Sequence, residues 1–173
     1  MSLTGAEAKM FGFAPYLPVV HTESSVQRAH EIYEQNRHRV YSLAFLMTDS
    51  ELVAEELTIQ TFSCAFARNA EPGDEDVDRA LISELRTYFF DLGRLTLKCS
   101  PSDRVLSVRS NTLRVDLERA VVQLPNTEKI MFLMHDVEGY GHDRIARLLD
   151  ITEDQSRLGV HQARLRMREL LAK

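Results

Sequence analysis

The reactive groups of this chain suit ionic and hydrogen-bonded contacts, and none is arranged for making or breaking covalent bonds. From Arg157 to the C-terminus, Arg157, Arg164, Arg166, Arg168 and Lys173 stand against Glu169 alone, a concentration of positive potential of the kind that neutralises phosphates. A second basic series, Arg79, Arg86, Arg94 and Lys98, recurs along the middle of the chain, and an acidic series, Glu51, Glu55 and Glu56, precedes it. There is no glycine-rich phosphate loop and no nucleophile beside an arranged base. Cys64 and Cys99 have no companion at metal-ligand spacing, and no pair among His30, His38, His142 and His161 has a third ligand placed to close a site. The sequence therefore predicts no enzyme, no metal and no cofactor.

The elements that must position these groups are helical. Residues 1–25 show no sustained period and read as an irregular arm. From Val26, apolar residues fall at helical spacing through Ile32, Val40, Leu43, Ala44 and Met47, until Thr48-Asp49-Ser50 supplies oxygens that cap a second helix over 51–68. Its buried stripe is Leu57, Thr61, Phe62, Ala65 and Phe66, with its glutamates near the positive end of the dipole. After a loop over 69–76, Val77, Leu81, Leu85, Tyr88, Leu92 and Leu95 predict a third helix over 76–98, with Tyr88 packed in the core and the basic series on its polar stripe.

Residues 99–111 carry Ser, Pro, Asp and Arg without an apolar stripe and read as a linker. Beyond it, Leu113, Leu117, Ala120 and Val121 predict a helix stopped at Leu124-Pro125, because the residue before proline is pushed out of helical geometry. Ile130, Leu133, Met134 and Val137 then predict a buried face ending at Gly139. A short helix over 142–149 and a last helix capped by Thr152, with Val160, Ala163, Met167, Leu170 and Leu171 inward, complete the order of a helix-turn-helix. The expected fold is all-α: two small helical domains, 26–98 and 112–173, joined by a linker, the second a helix-turn-helix.

At 173 residues and 44% hydrophobic composition the chain can bury such cores. The net charge of −5 argues against a protein that coats nucleic acid nonspecifically. Charge is segregated: the residues from Thr112 onward balance, so the whole deficit lies before them. Apolar runs such as 41–47 are far shorter than the roughly 20 residues that span a bilayer, and no secretion signal is evident, so a cytoplasmic protein without membrane insertion is expected.

Two stretches carry a resemblance. RHRVYSLAFLMTDSELVAEELTIQTFSCAF is similar to the core-binding and −10 domain of bacterial RNA polymerase sigma factors of the small, extracytoplasmic-function type. LPNTEKIMFLMHDVEGYGHDRIARLLDITEDQSRLGVHQARLRMREL is similar to the −35 domain of the same family, and its HDVEGY, helix-turn-helix and alternating tail are the more specific part. The resemblance implies partners: core RNA polymerase, promoter DNA and possible binding of an anti-sigma factor. It implies that Glu55, Glu56, Thr58 and Gln60 contact the polymerase and that Arg79, Arg86, Arg94 and Lys98 hold the melted −10 strand. Gln155, Arg157, Leu158, His161 and Gln162 are implied at base edges of the −35 duplex, with Arg144, Arg164 and Arg168 on phosphates.

Several positions depart from the family pattern. Ile59 and Gln60 stand where Gln and an acid are usual, Cys64 where Arg is frequent, Asp150 where the turn is commonly Gly, and Gly159 and Gln162 where basic residues are usual. Ser156 replaces a buried aliphatic group, and Glu71, Asp74, Glu75 and Asp76 acidify the segment matching the base-selecting loop. These departures leave two explanations: a divergent factor with its own promoter, or a sigma-like protein that has lost promoter binding and acts by occupying an anti-sigma factor or other regulator; a stand-alone helix-turn-helix regulator is a third reading of the chain.

Overall fold

A computed structural model describes residues 23–93 and 113–172. Among them are helices and turns and no strand, as the apolar periods predict. The order is α1 (Glu23–Thr48), α2 (Glu51–Arg68), α3 (Asp74–Tyr88), α4 (Arg114–Val122), α5 (Asn126–Phe132, continuing as a π-helical turn over Leu133–Val137), α6 (His142–Leu149) and α7 (Glu153–Leu171).

Local chemistry sets the α1–α2 hairpin. Asp49 takes left-handed geometry (φ 53°), and Ser50 Oγ accepts the N–H of Val53 at 3.5 Å to start α2. Val40, Leu43, Ala44 and Met47 then pack with Ala54, Leu57 and Ala65, and the Tyr33 ring meets Phe62 edge-on at 4.8 Å between centroids. At α3, Asp76 accepts the Gly73 N–H at 3.1 Å and three acids occupy the first turn, where the helix dipole favours them. Val77, Ala80, Leu81 and Leu85 close the first half; truncating a fully buried leucine such as Leu85 costs about 2–5 kcal/mol.

In the second half, Ile130, Met131, Leu133 and Met134 form the centre. The i→i+5 bond from Glu138 N–H to Leu133 O (3.0 Å) widens the end of α5, and the turn through Gly139 (φ 72°) returns the Tyr140 N–H to Met134 O at 2.9 Å. Asp150 (φ 57°) makes the tight turn after α6. A reciprocal cap then starts α7: Thr152 Oγ1 accepts from Gln155 N at 3.1 Å while Gln155 Oε1 accepts from Thr152 N at 2.8 Å, an arrangement worth about 1 kcal/mol.

Four expectations are corrected. The third helix ends at Tyr88 rather than running to residue 98, because residues 89–93 turn to meet the second half: Thr127 Oγ1 donates to Asp91 O at 2.9 Å and accepts from Gly93 N at 3.1 Å. Tyr88 is outside the core, 47% exposed at that helix end. Val137 is 57% exposed, since the π-helical turn rotates it off the buried face. Leu113 lies before α4 and is exposed, and Leu117 is also exposed. Leu117 and Val137 line an apolar groove of about 850 Å³ with Tyr41, Phe45 and Leu46 of α1. The arm, the linker, Arg94, Lys98, Cys99 and Lys173 fall outside the described residues, apart from the arm's last residues 23–25, which begin α1.

The halves pack on one another. α1 touches α4 and α5, α3 touches α6, and a single cluster of buried side chains runs through both.

Candidate nucleic-acid and polymerase interfaces

The helix-turn-helix is built so that one face of α7 must be polar. Ser156, Gly159, Val160, Ala163 and Met167 are buried at three- and four-residue spacing, so Arg157, His161, Arg164 and Arg168 share the opposite, exposed stripe. The residues of this stripe differ in how much of their charge is already used. Arg164 makes a two-point pair with Asp136, through Nε at 2.9 Å and through Nη2, and that hydrogen bond raises the arginine's pKa. Arg157 reaches back one turn to Glu153 at 3.0 Å. Arg168 has no acid partner among the described residues, and Gln155 is exposed with its carbonyl committed to the cap. Leu158 is half-buried, and Gln162 is half-buried with its carbonyl oxygen hidden and unpaired.

At the start of α6 the His142 ring stacks on His135 at 4.3 Å, and its Nδ1 lies 3.0 Å from Ser156 Oγ. Burial lowers the His142 pKa, and His135, Arg157 and Arg164 add to this against Glu153. The fully buried Ser156 hydroxyl is thus satisfied by the histidine.

Arg144 and Arg86 are placed differently from the α7 stripe. Arg144 leaves α6 toward α3, where its Nη2 meets Asp78 Oδ2 at 2.5 Å, and its guanidinium lies over the Tyr140 ring at 4.0 Å. Arg86, on α3, donates to the Leu149 carbonyl at 2.9 Å. Arg79 is exposed and pairs within its own helix, with Glu75 at 3.1 Å and Asp76 at 3.7 Å.

On α2, Glu55 and Glu56 are exposed, and Gln60 donates to Glu56 at 3.1 Å. Thr58 is turned inward with its hydroxyl on Ala54 O at 2.7 Å, so it presents no donor to a partner. The exposed face instead includes Leu52, 76% exposed, and Ile59, 68% exposed, which with Glu55 and Glu56 fall at helical spacing on one face. Glu55 and Ile59 also border a cleft of about 340 Å³ shared with Arg37 and His38 of α1.

Leu52, Asp78 and Tyr140 were not among the sequence candidates. A signal existed for Asp78, a carboxylate within the apolar sequence Val77, Ala80, Leu81, Ile82 and Leu85; none existed for Leu52, whose exposure depends on where α1 lies.

Residues 114–167 match the family described as Sigma-70, region 4. The chain is 28% identical over 160 residues to the ECF RNA polymerase sigma factor SigE of Mycolicibacterium smegmatis (strain ATCC 700084 / mc(2)155), an alignment covering 83% of this chain. It spans 61% of the length of that relative. Among solved structures it is similar to the sigma factor RpoE, crystallised with the anti-sigma factor NepR, from Bartonella quintana, with a TM-score of 0.63 at 18% identity over 82% of this chain and 95% of that one. This last likeness is one of fold.

Proposed function

We propose that this chain, a relative of the extracytoplasmic-function sigma factors that carries a Sigma-70 region 4 domain at residues 114–167, is a transcription initiation factor that binds core RNA polymerase and directs it to promoters. Residues 26–98 form the polymerase- and −10-binding unit in this reading, 99–111 the linker, and 112–173 the −35-binding unit. The observation that carries it is the α7 stripe: Arg157, His161, Arg164 and Arg168 are exposed on a capped helix whose other face is anchored by Val160, Ala163 and Met167. A helix held in this way enters a major groove with its first turns at base edges, so Gln155, Arg157 and His161 read bases while Arg168 holds phosphate. Polymerase docks on α2 through Glu55, Glu56 and Gln60, with Leu52 and Ile59 supplying apolar contact. The role is one of binding, with no catalytic step assigned to the chain, and it is exercised where the polymerase is, in the cytoplasm. No helix among the described residues is long and apolar enough to cross a membrane.

The test is a run-off assay with purified core polymerase on a library of genomic fragments. Start sites that depend on the chain support the reading; failure to bind core or to start transcription on any fragment rejects it. A second reading, capture of an anti-sigma factor, is favoured by the engagement of Arg86 and Arg144 away from the α7 stripe. Co-purification with such a factor and not with polymerase would select it.

A further inference from the structure

The groove of about 850 Å³ between α1 and the second half shares no residue with the α7 stripe or with the exposed face of α2. Tyr41, Phe45 and Leu46 form one wall, the Tyr41 and Phe45 rings stacked at 6.3 Å between centroids, and Val115, Leu117 and Val137 stand exposed along the other. Apolar side chains gathered in this way, with no cover among the described residues, mark a docking surface rather than scattered exposure. The ion pair at the rim, Arg114 to Glu118 at 2.8 Å, is closed on itself, so the groove asks no charge of what fills it.

The chain itself contains a segment of matching chemistry. Residues 10–20, MFGFAPYLPVV, carry no charge, and the Tyr16 hydroxyl is their only polar side-chain group. Pro15 and Pro18 each lack a backbone N–H and oppose a helix, so the run cannot bury its apolar groups within a regular helix of its own. Its reach also fits. α1 rises about 1.5 Å per residue, which puts Phe45 about 33 Å from Glu23. An extended chain covers up to about 3.3–3.6 Å per residue, so Phe13, ten residues before Glu23, can return along α1 to the level of Phe45, and Phe11 can pass beyond it. A tethered segment also acts at a millimolar effective concentration, which a separate partner would have to match. We propose that residues 10–20 seat in this groove, with Phe11 and Phe13 against Tyr41, Phe45, Leu117 and Val137, and that the arm thereby straps α1 to α4 and to the π-helical turn. Nothing in this seating depends on DNA or on polymerase.

Photocrosslinking of the full chain tests the seat. The photoreactive residue p-benzoylphenylalanine takes the place of Phe13, and an equal mixture of light and heavy-isotope chains tells crosslinks within a chain from those between chains. The expected product is an intra-chain crosslink to peptides of α1, α4 or the π-helical turn. Leu117→Glu combined with Val137→Glu should reduce it about tenfold, the factor that loss of one buried apolar contact brings. Both positions are exposed, so the folded halves should tolerate the change. Should the pair lose its helical signal, Phe11→Ser with Tyr16→Ser leaves both halves untouched, weakens the seat from the arm's side and should give the same reduction. Groove crosslinks between light and heavy chains overturn the intramolecular seat in favour of arm exchange with a second copy. Crosslinks elsewhere, none at all, or groove crosslinks that the substitutions do not reduce overturn it outright.

Discussion

His142 and Ser156 are joined side chain to side chain, ring Nδ1 to Oγ at 3.0 Å, across the turn of the helix-turn-helix. The bond ties the first turn of α6 to the first turn of α7 and satisfies a hydroxyl that has no access to water. The two partners are not equivalent. Ser156→Ala leaves a half-exposed ring that water can reach and is expected to cost about 1 kcal/mol, whereas His142→Leu strands the buried hydroxyl and costs about 1–3 kcal/mol. Urea titration of both variants measures the difference; equal losses would show that the hydroxyl finds another partner.

The same histidine sets a pH dependence. The folded chain holds His142 below the ordinary histidine value of 6.5, chiefly through burial and then through His135, Arg157 and Arg164, with Glu153 opposing. Asp136 also faces this cluster, paired to Arg164 and 4.0 Å from His135. Because the unfolded chain takes up the proton more readily, the contribution is fully present above about pH 6.5 and is lost as pH falls from there through the folded pKa. Wild type is expected to lose stability between pH 7.5 and 5.5 more steeply than His142→Gln. Parallel curves would reject a role for this residue.

Legibility from sequence tracked the range of the interaction involved. Ser50 and Thr152 were readable as caps because a cap closes within three residues, and the buried faces of α2 and α7 followed from their periods. The end of α3 was not readable, since Leu92 and Leu95 continue the apolar period and only Thr127, far along the chain, shows why the helix stops. Arg144 and Arg86 gave the same difficulty. Their type suggests phosphate, and their partners, Asp78 and Leu149, lie 66 and 63 positions away. The inward turn of Thr58 has a local cause: its hydroxyl bonds back to Ala54, four residues earlier, an option open to any helical threonine.

Asp150 holds left-handed geometry at φ 57° and ψ 50°, where a β-branched residue fits poorly. Asp150→Val is expected to cost about 1–2 kcal/mol and to lower Tm by several degrees. Asp150→Asn, which keeps a side chain suited to this conformation, should unfold near wild type. Thermal unfolding of the pair separates backbone strain from loss of charge, since both substitutions remove the carboxylate.

On α2, Leu52 and Ile59 are exposed while Thr58 is not, so interface and core can be probed separately. Leu52→Asp and Ile59→Asp should change stability by less than about 0.5 kcal/mol, the usual range for surface positions, and weaken core polymerase binding at least tenfold. Thr58→Val, which removes the inward hydroxyl, should leave polymerase affinity unchanged. Surface plasmon resonance against immobilised core enzyme reads both. Loss of affinity in Thr58→Val alone would place the contact on a different face.

The α7 stripe yields the sharpest distinction, because Arg164 and Arg168 differ in what already binds them. Asp136 neutralises Arg164 at two points, whereas Arg168 has no acid partner among the described residues. A phosphate must displace Asp136 to reach Arg164 and need displace nothing at Arg168. Arg168→Ala should therefore weaken duplex binding equally for all sequences and flatten the slope of log K against log salt by about one. Arg164→Ala should cost less, and Asp136→Asn should tighten binding by releasing the guanidinium. His161→Ala and Gln155→Ala should instead relax preference at single base positions, Gln155 through its amide N–H groups alone because its carbonyl is held in the cap. Fluorescence anisotropy with a labelled duplex across a salt series distinguishes these outcomes, and equal losses in Arg164→Ala and Arg168→Ala would show that the Asp136 pair does not compete with DNA.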